Sequence, residues 1–175
     1  MVFVGSKAPD FNLKGVYRDN IADYSLKSYP GKWLVLFFYP ADFTFICPTE
    51  VIGFSKSTGA FRAEDAEIAG VSVDSLETHR AWAEELGGVD YPLLSDADKK
   101  ASRDYGVLAE KEGVSARATF ILNPTREINY FVATHMNVGR SVEETLRVLK
   151  ALRTGRLCPA EWRPGKATGE SSYKY

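Results

Sequence analysis

The chain has 175 residues, 45% of them hydrophobic, with a formal net charge of -1. That suits one domain with a sizeable core and leaves no basic footprint for nucleic acid. No block of like charge is long enough for an interaction tail, and the longest apolar run is far too short to span a bilayer.

Met1 to Asp10 show neither a charged start before a long apolar stretch nor a small-residue cleavage pattern, so a cytoplasmic protein without membrane or nucleic-acid partners is expected. Cys47 and Cys158, the two cysteines, exclude a disulfide-rich scaffold and C-x-x-C metal pairs. In a reducing compartment two such thiols suit a transient bond better than a structural one.

Two short strands are expected first, Phe11 to Tyr17 and Ile21 to Ser25, joined by a hairpin turn at Arg18-Asp19-Asn20. Pro30-Gly31-Lys32 breaks the chain before Trp33 to Tyr39, a continuous apolar and aromatic run that reads as a strand buried on both faces. Pro40 ends it. A helix then starts near Cys47 and runs to about Arg62, although Gly53, Ser57, Thr58 and Gly59 are weak helix formers. Ala66 to Val73 reads as a strand, and Asp74-Ser75 lead into a helix with Trp82 and Leu86 on one face, stopped by Gly87-Gly88.

Tyr91 to Leu94 is a short strand, and Asp96 is placed to cap a helix through Tyr105. Ala118 to Leu122 and Ile128 to Thr134 are strands joined by the turn Asn123-Pro124-Thr125-Arg126. Ser141-Val142-Glu143-Glu144 is a capping box that opens a helix with Val142, Leu146, Leu149 and Leu152 at helical spacing, up to Gly155. Strands alternating with helices give an α/β sandwich around a central sheet of mixed direction. From Arg156 onward, Pro, Gly, Ser and Lys with little apolar periodicity suggest a surface tail free to move.

The chemistry is expected in Pro40 to Glu50. Pro48 suits the first position of a helix and Glu50 its first turn, which puts Cys47 at a helix N-terminus. Unpaired amides there stabilise a negative sulfur, and the thiolate is the nucleophile. Thr44 is placed to hydrogen-bond to the sulfur or to an oxygen bound beside it, and Pro40 to shield it from water. The alternative is a cysteine that acts as a small buried hydrophobe.

Pro40, Thr44 and Cys47 match the P-x-x-x-T-x-x-C signature of peroxiredoxins. The wider run Phe37 to Glu50 resembles the typical 2-Cys group, in particular the bacterial alkyl hydroperoxide reductase C subunit. The resemblance extends from Gly5-Ser6-Lys7-Ala8-Pro9-Asp10-Phe11 to Cys158-Pro159-Ala160-Glu161-Trp162. It implies a thioredoxin-like fold over residues 1–155, with an N-terminal β-hairpin and a C-terminal tail, 156–175, that carries a resolving cysteine.

The resemblance also implies that Arg117 and Arg140 lie near the Cys47 sulfur, that Glu50 orients an arginine, and that Cys158 attacks from the partner subunit. The implied activity reduces hydrogen peroxide or an organic hydroperoxide. Thioredoxin or a flavoprotein disulfide reductase would return the electrons, to a homodimer that assembles into a decamer. No metal, haem or flavin is implied in this chain. Gly87-Gly88-Val89 matches the Gly-Gly-Leu-Gly loop of oxidation-sensitive members only in part, and Tyr173-Lys174-Tyr175 differ from their Tyr-Phe pair, which points to resistance to over-oxidation.

By residue chemistry alone, Arg117 and Arg140 are also ordinary ion-pair formers, Glu50 a first-turn carboxylate, and Cys158 an incidental thiol. His79 and His135 raise acyl transfer but sit in no motif that makes either a base, and both are expected to face solvent or serve structure. A thioredoxin-type disulfide exchanger is disfavoured because Thr44 stands where C-x-x-C has its first cysteine. A peroxide-responsive chaperone or relay on the same fold is the non-enzymatic alternative.

Overall fold

The computed structural model describes residues 2–170. Strands β1 (Asn12–Tyr17) and β2 (Asn20–Ser25) form the expected hairpin, and its turn takes Arg18 to φ 44°. Then follow β3 (Trp33–Phe38), α1 (Cys47–Arg62), β4 (Ala66–Ser72), α2 (Leu76–Glu85), β5 (Leu93–Ser95) and α3 (Lys100–Asp104). A two-residue ladder, β6 (Leu108–Ala109) with β7 (Val114–Ser115), precedes β8 (Arg117–Leu122), β9 (Ile128–Thr134) and α4 (Val142–Arg153).

Seven strands form one sheet in the order β2-β1-β5-β4-β3-β8-β9. Its middle is parallel, β3 with β4 and β4 with β5, because α1 and α2 serve as crossovers. Its flanks are antiparallel.

β3 lies near the centre, and its alternate residues feed two separate cores. Leu34, Leu36 and Phe38 pack with Phe11, Leu26, Tyr105 and Phe120 on one face. Val35, Phe37 and Tyr39 pack on the other with Cys47, Phe54, Phe61, Trp82 and Leu149. That two-sided burial is why the run shows no polar alternation.

α1 spans its weak helix formers because tertiary packing overrides propensity. Val51, Phe54 and Phe61 are buried along it, and Gly53 leaves room for α4: a Cβ there would stand 3.1 Å from Val142 Cγ2. α3 is shorter than the Asp96 cap suggests. Lys99 takes a left-handed φ of 63°, so the helix begins only at Lys100, although the Asp96 carboxylate still accepts from the amides of Ala101 and Ser102 at 2.9 and 2.7 Å.

At α4 half of the capping box is present: Ser141 Oγ accepts from the Glu144 amide, while the Glu144 carboxylate pairs with Arg147. The segment after α4 is tied down rather than loose. Leu157 bridges Gly169, the buried Trp162 donates its indole N–H to the Lys166 carbonyl at 3.0 Å, and Arg147 donates to the Trp162 carbonyl at 2.8 Å. Tyr173-Lys174-Tyr175 lie outside the described residues. Among the described residues, no helix is long and apolar enough to cross a membrane, and no group of three or more His, Cys, Asp or Glu could hold a metal ion.

Candidate active site

β3 runs out at Phe38, and Tyr39 adds one more bond to the sheet through the Val71 carbonyl. The chain then crosses from Pro40 to Ile46 as a loop and enters α1. Cys47 is the first helical residue and Pro48 the second, one place later than the sequence pattern suggests. The sulfur-bearing residue is fully buried, 0% exposed, against the core that contains Val35, Phe37 and Val51.

The first turn supplies fewer free amides than a helix start normally would. Pro48 has no N–H, and that of Thr49 is spent on the Ile46 carbonyl at 3.0 Å. The donor that reaches the sulfur is a side chain instead: Arg117 Nη1 donates to Cys47 Sγ at 3.3 Å. An arginine in this position brings a permanent positive charge and several fixed donors.

Arg117 opens β8, and antiparallel pairing with β3 carries it to the strand end from which the Cys47 loop departs. Only 4% exposed, it is aimed by three acceptors. Nη1 also donates to Glu50 Oε2 at 2.7 Å, and Nε donates to the Met136 carbonyl at 2.7 Å.

Arg140 approaches Glu50 from the other side. Its backbone N–H and Nε donate to Oε1 at 2.7 and 2.8 Å, Nη2 to Oε2 at 2.9 Å, and Nη1 to Thr119 Oγ1 at 3.1 Å. The guanidinium also stands 5.6 Å from the centre of the Phe37 ring. Burial alone would raise the Glu50 carboxyl. The hydrogen bonds and charge of Arg140, with the charge of Arg117, outweigh it and hold the group below the usual carboxylate range. Glu50 is thus an ionised hub, 2% exposed, between two arginines from distant parts of the chain.

Of the two partners expected for Thr44, the sulfur is not engaged. Exposed, Thr44 donates its hydroxyl to the Ala41 carbonyl at 3.1 Å, so it braces the loop. Pro40 is half-buried at the head of the same loop. Cys158 lies beyond α4, its S–H donating to the Ala151 carbonyl at 3.7 Å and its sulfur 3.4 Å from Thr154 Oγ1. Both cysteines are free.

His135 faces solvent, whereas His79 is wholly buried and meets Asp42 at 2.7 Å. Gly139 and Thr119 have no motif that marks them in the sequence, and Asp42 lies inside the Phe37 to Glu50 run with no role that the run assigns to it. For Gly139 the only clue is its place just before Arg140: a Cβ there would come within 3.3 Å of Ile46 Cγ2, so its absence lets the Arg140 amide reach Glu50.

Residues 4–131 match the AhpC/TSA family, a match that includes Cys47, Glu50 and Arg117 and ends before Arg140 and Cys158. A putative peroxiredoxin of Bacillus subtilis, YkuU, is 48% identical over 94% of this chain and 97% of its own length. A mitochondrial thioredoxin-dependent peroxide reductase of Drosophila melanogaster is 43% identical over 99% of this chain and 81% of its own. Among solved structures, the reduced 2-Cys peroxiredoxin of Plasmodium vivax superposes with a TM-score of 0.91, at 36% identity, over 96% of this chain and 93% of that one. The mixed sheet with its flanking helices is therefore a thioredoxin-like fold, and the chain belongs to the AhpC/TSA family of peroxiredoxins, enzymes that reduce peroxides through a thiol.

Proposed function

We propose that the Cys47 thiolate attacks the O–O bond of hydrogen peroxide or an organic hydroperoxide. An S–O bond forms as the O–O bond breaks. The leaving oxygen takes a proton and departs as water or alcohol, and Cys47 is left as a sulfenic acid. One observation carries this: in a member of this family, a buried guanidinium donates to the sulfur at 3.3 Å while a carboxylate fixes it in place. Arg117 then meets the negative charge that moves onto the departing oxygen, a preorganised donor in a site that excludes water. Pro40 and Thr44 shape the rim, and Glu50 and Arg140 hold the arginine.

The sulfenic acid condenses with the Cys158 thiol of a partner subunit, releasing water and forming an intersubunit disulfide. Residues 1–155 act as the peroxidase unit, and 156–175 carry the resolving thiol. Support for self-association comes from β9, an outer strand of the sheet with Phe131 exposed, where a second copy can pair. Five such dimers would close the decamer. A dithiol partner, thioredoxin or a flavoprotein disulfide reductase, takes the bond back to two thiols, and the reducing cytoplasm is the compartment in which this cycle turns over.

The test is rapid-mixing oxidation of wild type, Cys47→Ser and Cys158→Ser by peroxide. Wild type should consume peroxide and run as a covalent dimer on a non-reducing gel. Cys47→Ser should not react, and Cys158→Ser should react once and stop at a sulfenic acid that a dimedone probe captures. Peroxide consumption by Cys47→Ser, or insulin-disulfide reduction without peroxide consumption by wild type, would overturn the assignment.

A further inference from the structure

The loop that delivers Cys47 is fastened from below by side chains that no step above uses. Asp42, the third residue of that loop, accepts from Tyr39 Oη through Oδ1 at 2.8 Å and meets His79 Nδ1 through Oδ2 at 2.7 Å. Its own amide donates to Asp74 Oδ2 at 3.0 Å, an oxygen that also accepts from Ser72 Oγ at 2.6 Å. His79 Nε2 lies 3.2 Å from the Leu94 carbonyl, which can only accept, so that nitrogen carries hydrogen. Asp42 and His79 are both buried, and every one of their side-chain polar atoms has a partner.

Burial, then the charge of Asp42, push the Tyr39 hydroxyl well above its usual ionisation range, which leaves it a donor at working pH. The residue that follows is under backbone strain. Phe43 has φ 53°, a region an aromatic residue enters only when its surroundings over-determine it, and its ring packs 6.3 Å from that of Trp82 on α2. The turn at Phe43 sets the direction in which the chain leaves for Thr44 and Cys47. The bonds to Asp42, immediately before it, are what hold that turn.

We propose that Asp42 and His79, with Tyr39, form a positioning unit for the peroxide reaction, clamping the Pro40 to Ile46 loop that leads into Cys47. This rests on Cys47 being the attacking sulfur. The three residues are positioning residues: they act through the loop they hold, from β3 on one side and α2 on the other.

Asp42→Asn, His79→Asn and the double variant test it, with the two chemical steps measured separately by rapid mixing. The second-order rate constant for Cys47 oxidation should fall roughly tenfold to a hundredfold, the scale expected when a reacting group is misplaced by about 1 Å. The later disulfide step should not slow, since it needs the loop released. The double variant should fall no further than the worse single one, because both break one unit.

Variants that melt earlier yet oxidise at the wild-type rate would reduce the pair to a structural role and overturn the proposal. Should the variants not fold, wild type decides. The Asp42 amide of the reduced protein, bonded to Asp74 Oδ2 at 3.0 Å, should exchange slowly with deuterium, and exchange at the unprotected rate would overturn the clamp. A wild-type protein inert to peroxide sinks the assignment of Cys47, whereas an active wild type with unaltered variants sinks only the clamp.

Discussion

Arg140 and Glu50 are joined by three hydrogen bonds of 2.7, 2.8 and 2.9 Å, one of them from the Arg140 backbone, while Arg117 takes a fourth at 2.7 Å on the same carboxylate. The cluster holds two guanidinium charges against one carboxylate, with all three groups buried. Glu50→Gln therefore leaves the buried Arg140 without its counter-ion and Arg117 with only the Cys47 sulfur to face. The expected loss is about 3–5 kcal/mol of stability, the usual cost of removing one partner from a buried pair. Chemical denaturation of the reduced protein measures it.

The same carboxylate sets an acid limit. Glu50 is held below its unfolded value of about 4.3, so its contribution to stability is complete above that pH and is lost as pH falls through the lower value in the fold. The melting temperature of wild type should drop steeply below about pH 4. That of Glu50→Gln, already lower at neutral pH, should fall less over the same interval. Parallel acid profiles for the two proteins would contradict the assignment.

Much of this site was legible in the residues because it is compact in sequence: Pro40, Cys47 and Glu50 fall on one strand-loop-helix passage. Arg117 and Arg140 could be named only by resemblance, since nothing local tells a buried guanidinium aimed at a sulfur from a surface ion pair. Asp42, Thr119 and Gly139 were silent for the same reason, because their partners are far away in the chain. For His79 the sequence left exposed and structural readings open, and only the fold shows it buried with Asp42 beneath it. The β6–β7 ladder, at two residues a strand, is too short to leave a periodic signal.

Arg117 should dominate the rate. Its Nη1 is shared between Cys47 Sγ and Glu50, and its Nε is pinned by the Met136 carbonyl, so charge and direction are both specified. Arg117→Met removes both and should lower the second-order rate constant for peroxide by roughly 10²- to 10³-fold, the scale seen when one preorganised donor is lost. Arg117→Lys keeps the charge but not the fork and should fall between the two. If Arg117→Lys equalled wild type, charge alone would account for the role.

Gly59 in α1 offers a gain. It is exposed, within the helix, and a Cβ there meets nothing within 4 Å. Gly59→Ala should therefore stabilise the fold by about 0.5–1 kcal/mol through helix propensity. That corresponds to a melting temperature higher by roughly 1–4 °C in a chain of this size. Gly53→Ala should gain less, since its new Cβ would press on Val142 Cγ2 at 3.1 Å. A larger gain at Gly53 than at Gly59 would mean that α4 yields readily.

The proposed Cys47–Cys158 disulfide would demand the largest movement. Its two Cα atoms must come within roughly 4.4–6.8 Å, yet Cys47 is fully buried as the first residue of α1, and Cys158 is held against Ala151 and Thr154 at the end of α4. The Cys47 sulfur, in a wholly buried residue, has no surface to offer a partner from where it stands. The first turn of α1 must unwind, and the Cys158 segment must leave Thr154. Hydrogen exchange should show the Thr49 amide, bonded to the Ile46 carbonyl at 3.0 Å, protected in the reduced enzyme and exposed once the disulfide forms, with residues 156–162 loosened in parallel. In Cys158→Ser treated with peroxide, the same turn should open only transiently, because no bond traps it. A disulfide-bonded enzyme whose first turn stays protected would mean that the resolving thiol arrives by another route.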